Sequence, residues 1–313
     1  MNFTSINDIS SPVQLLELAK QIKLKPFDYR EFGQNKTLGL LFFNPSLRTR
    51  LSTQKAANNL GMDVIVMNVG QDGWQLEMDE GVVMNGSKQE HIKDAVAVLS
   101  QYCDIIGVRT FASLNDRKAD YEELVLKQFL KYTHVPIISL ESATLHPLQS
   151  LADWLTIEEH KVAHKPKVVL TWAPHVKPLP QAVANSFVEW MKLAEVDLTI
   201  TNPIGFDLAP QFSKDVKVEH NQDMALAQAD FVYAKNWSSY QDYGTIGGEM
   251  TDWQITPEKM SLTNNAKFMH CLPVRRNVVV SDEVIDGQNS LVYEQANNRT
   301  YAAQAVLLNL LQL

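Results

Sequence analysis

Short runs of β-branched and apolar residues alternate along this chain with segments whose apolar side chains recur at helical spacing. That alternation narrows the fold more than any other feature. "TLGLLFF" (Thr37–Phe43), "MDVIVMNV" (Met62–Val69), "DIIGVRT" (Asp104–Thr110), "VPIISLES", "KVVLTWA", "VDLTITNP", "DFVYAKN" and "KFMHCLP" have the length and makeup of buried strands. Between them "HIKDAVAVLSQY", "YEELVLKQFLKY", "HPLQSLADWLTIEEH", "LPQAVANSFVEWMKLA" and "NQDMALAQA" are patterned as helices. Strands that alternate with helices imply βαβ units and parallel sheets. Roughly nine strands are many for one sheet, and a helix near residues 146–160 falls midway. The expectation is an α/β chain with two domains, each a parallel β-sheet flanked by helices, joined by interdomain helices. Residues 1–145 plus 300–313 form the first domain and residues 146–299 the second. "RTYAAQAVLLNLLQL" predicts a final helix that must bury its leucines.

The 313 residues suffice for two sizeable cores. A formal net charge of −8 argues against a general nucleic-acid or membrane-surface binder, which would show a basic stripe. Any anion site must therefore be a local pocket. Cys103 and Cys271 are the only cysteines, far apart and without metal-ligand spacing, which points to a reducing cytoplasm rather than a disulfide framework. No stretch has the form of a signal peptide or an apolar span. No Walker A or G-x-G-x-x-G turn occurs, which argues against nucleoside triphosphate hydrolysis and nicotinamide chemistry.

In open parallel sheets, ligands bind at the carboxyl ends of the strands. The residues that follow the predicted strands are Ser46–Arg50, the loop 71–90, Arg109, Glu141 to Gln149, His175, Lys235 and "HCLPVRR". Cationic, imidazole and hydroxyl groups dominate this set, although the protein as a whole is acidic. In "FNPSLRTRLSTQKAANNLG", Ser46 can cap a helix whose first-turn N–H groups and positive dipole end suit phosphate. Arginine is disfavoured at such an end unless an anion is present, so Arg48 either binds one or lies in a solvated helix start.

"FFNPSLRTR", "HPLQSLAD" (His146–Asp153) and "HCLPVRR" (His270–Arg276) together resemble the three motifs of the aspartate/ornithine carbamoyltransferase superfamily. The resemblance covers nearly the whole chain. It departs from the ordinary ornithine enzymes at "AKNWSSYQDYGTIGG" (Ala234–Gly248), which lacks their Ser-Met-Gly loop. There, and at "DGWQLE" and "WAPHVKPLPQAVANSF", it is similar to the N-acylornithine subgroup. The resemblance implies a carbamoyltransferase acting on carbamoyl phosphate and N-succinyl- or N-acetyl-ornithine, without cofactor or metal. It also implies a cytoplasmic homotrimer with shared active sites.

By the same resemblance Ser46, Leu47, Arg48 and Thr49 bind carbamoyl phosphate, while Arg50 either joins them or braces the loop by ion pairing. Arg109 and His146 reach the carbamoyl oxygen and Gln149 its NH2 group; His146 could otherwise cap the helix it opens. Trp74 enters a neighbouring subunit's site or fills an interface. Arg299, before the last helix, contacts the carbamoyl group or is a surface or cap arginine. Cys271 and Leu272 line the pocket, where Cys271 orients the amine or is an inert buried thiol. On the acceptor side Arg275 clamps the α-carboxylate, and Glu141, His175 and Lys235 either hold the acylated substrate or form structural salt bridges and hydrogen bonds. Glu90 stands where the acetyl type has glutamate and the succinyl type proline, though a glutamate also suits a helix N-terminus there. Val279 stands where the acetyl type has lysine. The two signals conflict. A succinylornithine enzyme whose Glu90 shifts preference toward the acetyl substrate reconciles them.

Overall fold

The computed structural model describes residues 2–246 and 250–312. Residues 247 and 248 of the "AKNWSSYQDYGTIGG" stretch therefore lie outside the described part. The chain divides into two compact units: residues 1–112, 118–148 and 299–313 form the first, and residues 113–117 with 149–298 the second.

The first unit holds four parallel strands: β1 (Thr37–Phe42), β2 (Asp63–Asn68), β5 (Ile105–Arg109) and β6 (Ile137–Glu141), in the order β2-β1-β5-β6. β3 (Leu76–Glu77) and β4 (Glu90–His91) are a separate two-residue parallel pair inside the loop 71–90. Leu41, Ile106, Val108 and Ile137 pack with Ile92, Val96 and Phe129 from the flanking helices Ile92–Tyr102 and Leu124–Tyr132. The chain passes from β1 out to β2 and then returns across β1 to β5, so the direction of winding reverses between β1 and β5.

The second unit holds five parallel strands: β7 (Lys167–Trp172), β8 (Asp197–Thr201), β9 (Lys217–Glu219), β10 (Phe231–Lys235) and β11 (Lys267–Met269). Their order is β11-β10-β7-β8-β9, with the reversal between β7 and β10. Val169, Val232, Phe268, Val279 and Val280 build its core. Val279 is 1% exposed, so the valine where the resemblance expects a possible lysine is a core residue.

Three sequence expectations change. The segment 121–132 is not one helix, because Glu123 takes a left-handed conformation (φ 54°, ψ 42°) and the helix begins at Leu124. Glu90 does not begin a helix; it pairs with Leu76 in β4, and His91 caps the helix that follows. The last helix spans Val292–Leu311, which places Arg299 well inside it rather than before it. Among the described residues no helix is long and apolar enough to cross a membrane.

One carboxylate is out of place for a core. Glu189 lies on the helix Ala182–Met191, whose other residues are all buried. Burial pushes its carboxyl up to about 7, only partly opposed by Lys192. A raised folded-state value means that Glu189 contributes stability below the unfolded value and loses it as pH rises through about 7. Glu189→Gln should therefore leave the urea midpoint nearly unchanged at pH 4.5 and raise stability at pH 8 by about 1–2 kcal/mol, after allowance for partial exposure. Equal midpoint shifts at both pH values would contradict this origin.

Candidate functional site

In each unit the strands are parallel, so their carboxyl ends share one edge, and ligand crevices open there at the reversal point. In the first unit that point lies between β1 and β5. β1 leads into Asn44–Leu47 and the helix Arg48–Asn59, and β5 ends on Arg109. The first residue of that helix is Arg48, with Leu47 in the capping position and no side chain capping from it. Ser46 still does the capping chemistry, because its hydroxyl accepts from Thr49 N at 3.3 Å.

Arg109 is 6% exposed and locked in place. Its Nη1 donates to the carbonyls of Asn44 (3.0 Å) and Pro45 (2.8 Å), and its Nη2 donates to Glu141 Oε2 at 2.8 Å. The guanidinium also stacks 4.1 Å from the Phe111 ring centre. Asn44 Oδ1 accepts from Phe111 N, which closes the bracket between the two loops. Nε, one of the two guanidinium N–H groups these bonds leave over, is buried and makes no hydrogen bond among the described residues. Glu141, at the end of β6, carries His146 as well, with Nε2 3.7 Å from its carboxylate. The structure thus groups Glu141 with Arg109 and His146 in the first unit.

The helix start has a second support. Arg299 is buried and donates through Nη2 to Thr49 Oγ1 at 2.6 Å. Arg48 is half-buried at the mouth of the helix. Arg50 points to Asn68 Oδ1 and lies 5.0 Å from the Phe42 ring centre. It braces the loop through an amide and a ring rather than an ion pair. Trp74 is 55% exposed, and its indole N–H donates to Glu90 Oε2 at 2.6 Å. The β3–β4 pair brings those two side chains together across the turn-rich loop.

In the second unit the reversal point lies between β7 and β10, where His175 follows β7 and Lys235 ends β10. Burial is the main cause holding the His175 imidazole below its ordinary value, and the positive fields of Lys235 and Arg275 push the same way. The Lys177 carbonyl, 2.8 Å from His175 Nδ1, opposes them. Three cationic or imidazole groups thus face a common region, an arrangement suited to a carboxylate. Arg275 is exposed, and Lys235 is 9% exposed.

Gln149 is fully buried, and its Nε2 donates to Asp153 Oδ1 at 2.7 Å. Asp153 also accepts from Gln295 Nε2 at 2.7 Å, and Gln295 Oε1 accepts from His270 N at 2.9 Å. This chain of bonds orients the Gln149 amide with its oxygen as the acceptor and ties it to the segment bearing Cys271 and Leu272. Leu272 precedes a cis peptide bond to Pro273 and has φ 54°. Cys271 is a partly buried thiol outside any disulfide, beside the Tyr233 hydroxyl, which burial pushes well above its ordinary range. The sequence reading missed Gln295, because a glutamine inside a helix carries no signal without its partner. Among the described residues no group of three or more histidine, cysteine or acidic side chains is arranged to hold a metal ion.

Comparison with known proteins adds the following. Residues 1–159 match the family model "Aspartate/ornithine carbamoyltransferase, carbamoyl-P binding domain", and residues 180–310 match "Aspartate/ornithine carbamoyltransferase, Asp/Orn binding domain". The chain is 52% identical to the N-succinylornithine carbamoyltransferase of Bacteroides thetaiotaomicron, over 99% of this chain and 98% of that protein. It is 38% identical to the N-acetylornithine carbamoyltransferase of Xanthomonas axonopodis pv. citri, over 88% and 86%. Among solved structures, a glutamate-to-proline variant of N-acetyl-L-ornithine transcarbamylase complexed with carbamyl phosphate and N-succinyl-L-norvaline superposes with a TM-score of 0.94. That protein is 36% identical, with 99% of each chain covered.

Proposed function

This chain belongs to the aspartate/ornithine carbamoyltransferase family, and on that premise we propose that it transfers the carbamoyl group of carbamoyl phosphate to the δ-amine of an N-acylornithine in arginine biosynthesis. The acyl group is succinyl, with Glu90 shifting preference toward acetyl. The observation that carries the reading is the buried Arg109–Glu141–His146 group beside the Arg48–Thr49 helix start, at the winding reversal of the first unit. Identity of 52% to a succinylornithine enzyme against 38% to an acetylornithine enzyme favours the succinyl substrate.

The chemistry follows from these groups. The phosphate of carbamoyl phosphate docks on the first-turn N–H groups after Ser46 and Leu47 and on the Arg48 fork. The neutral δ-amine attacks the carbonyl carbon, the new C–N bond forms, and negative charge develops on the carbonyl oxygen. Arg109 Nε, His146 and Thr49 Oγ1 donate to that oxygen, each donor lowering the barrier by about 3–4 kcal/mol. The C–O bond to phosphate then breaks, and the leaving phosphate accepts the proton from the amine. Gln149 Oε1 accepts from the carbamoyl NH2 group, Arg299 sets Thr49, and Cys271 and Leu272 line the carbamoyl end. Arg275 takes the α-carboxylate of the acceptor, while His175 and Lys235 hold its acyl arm. The exposed Trp74 is contributed to a neighbouring subunit of a homotrimer, and the protein acts in the cytoplasm.

The test is formation of citrulline derivatives from carbamoyl phosphate with ornithine, N-acetylornithine and N-succinylornithine side by side. Turnover with both acylated acceptors and none with ornithine is the expected result. Turnover with ornithine alone would overturn the acyl assignment. A wide preference for the succinyl substrate would remove the role given to Glu90.

A further inference from the structure

The loop that joins Glu141 to His146 is held by a residue with no place in the chemistry above. Glu123 lies between the segment Arg117–Tyr121 and the helix Leu124–Tyr132, in a left-handed conformation that only glycine and, less often, asparagine or aspartate adopt readily. Its carboxylate is the hub of the loop. Oε1 accepts from Ser142 Oγ (2.6 Å), Thr144 N (2.8 Å) and Thr144 Oγ1 (2.6 Å), and Oε2 accepts from Ala143 N (3.1 Å). Ser142 in turn accepts through Oγ from Leu145 N and donates its own N–H to the Leu145 carbonyl. Every residue between Glu141 and His146 is thus tied, directly or through Ser142, to one side chain.

We propose that Glu123 is a positioning residue: it clamps the 142–145 turn and so sets the imidazole of His146 relative to the Glu141 carboxylate and Arg109. The left-handed backbone is what delivers the carboxylate to the turn, since a continuous helix over 121–132 would carry residue 123 past it. A carboxylate suits the task because it offers several lone pairs and no proton, matching four donors at once. Two of those donors are backbone N–H groups with no helix or strand to satisfy them, so neutral replacements leave at least one unmet. The inference rests on the carbamoyl-transfer reading for its catalytic consequence, but not for the clamp itself.

Two measurements separate these. Amide hydrogen exchange in Glu123→Ala should show Ala143, Thr144 and Leu145 losing protection by at least tenfold while β5 and β6 keep theirs, whatever the protein catalyses. Unchanged protection there would overturn the clamp. In steady-state carbamoyl transfer, Glu123→Ala should lower kcat about 10- to 100-fold and change KM for the N-acylornithine by less than threefold. Glu123→Gly, which relieves the backbone without restoring the carboxylate, should recover thermal stability but not kcat. Glu123→Gln, with one oxygen retained, should fall between. Full kcat in Glu123→Gly would assign Glu123 to stability alone and end the proposal. Absence of any carbamoyl transfer by the unaltered protein would instead count against the proposed function, with the exchange result still deciding the clamp.

Discussion

Arg109→Leu is expected to lower kcat for carbamoyl transfer by about 10³-fold or more and also to destabilise the protein. On the proposed mechanism the rate loss follows from removing the buried Nε donor from the developing oxyanion, a deletion that alone costs about 10²–10³-fold. Asn44 and Pro45 lose the guanidinium that holds their carbonyls, so the start of the helix Arg48–Asn59 shifts as well. The stability loss has a separate cause. Glu141 is 8% exposed, and without Arg109 its charge stays buried and uncompensated, which costs about 3–5 kcal/mol. The double variant Arg109→Leu with Glu141→Gln should recover much of the denaturant midpoint and none of the rate. Arg109→Lys keeps a charge without the planar fork and should help stability more than turnover. Activity within tenfold of the unaltered protein in Arg109→Leu would remove Arg109 from the chemistry.

Glu90→Pro is expected to raise the ratio of kcat/KM for N-succinylornithine over N-acetylornithine by about 10²-fold. The succinyl arm ends in a carboxylate, and two like charges some 6 Å apart at an effective dielectric near 20 repel by about 3 kcal/mol. Proline changes more than charge, because it removes a backbone donor from β4 and the acceptor for the Trp74 indole. Glu90→Gln separates the effects, since it keeps an oxygen for Trp74 while removing the charge. If charge dominates, the glutamine variant shows most of the shift. If it shows none while proline does, the loop backbone sets the preference instead.

Eight of the nine strands in the two larger sheets could be seen in the sequence as short apolar runs, most of them buried on both faces; β9, three partly exposed and mostly polar residues, could not. The same reasoning placed Arg109, Glu141, His175 and Lys235 just after strands; in the structure Arg109, Glu141 and Lys235 are the last strand residues and only His175 follows its strand. What could not be seen were features decided by a distant partner. Residues before Arg299 look like a poor helix, with paired asparagines in "EQANNRT". In the structure Asn298 Nδ2 donates to Thr156 Oγ1 and Glu159 Oε2, and those bonds outweigh low propensity. Glu123 was hidden in the opposite sense, as a good helix former whose backbone is drawn out of the helix by four hydrogen bonds. β3 and β4 are too short for any periodicity to register.

The bond between Thr49 and Arg299 joins positions 250 residues apart, and Asn59 reaches Gln304 across 245. On the ribosome, all four strands of the first sheet therefore emerge long before the helix that finishes their unit. The second unit is almost one uninterrupted stretch and can condense as soon as it is made, whereas closing so wide a loop delays the first. The helix start at Arg48 thus gains its Arg299 support only after the whole second unit has been made.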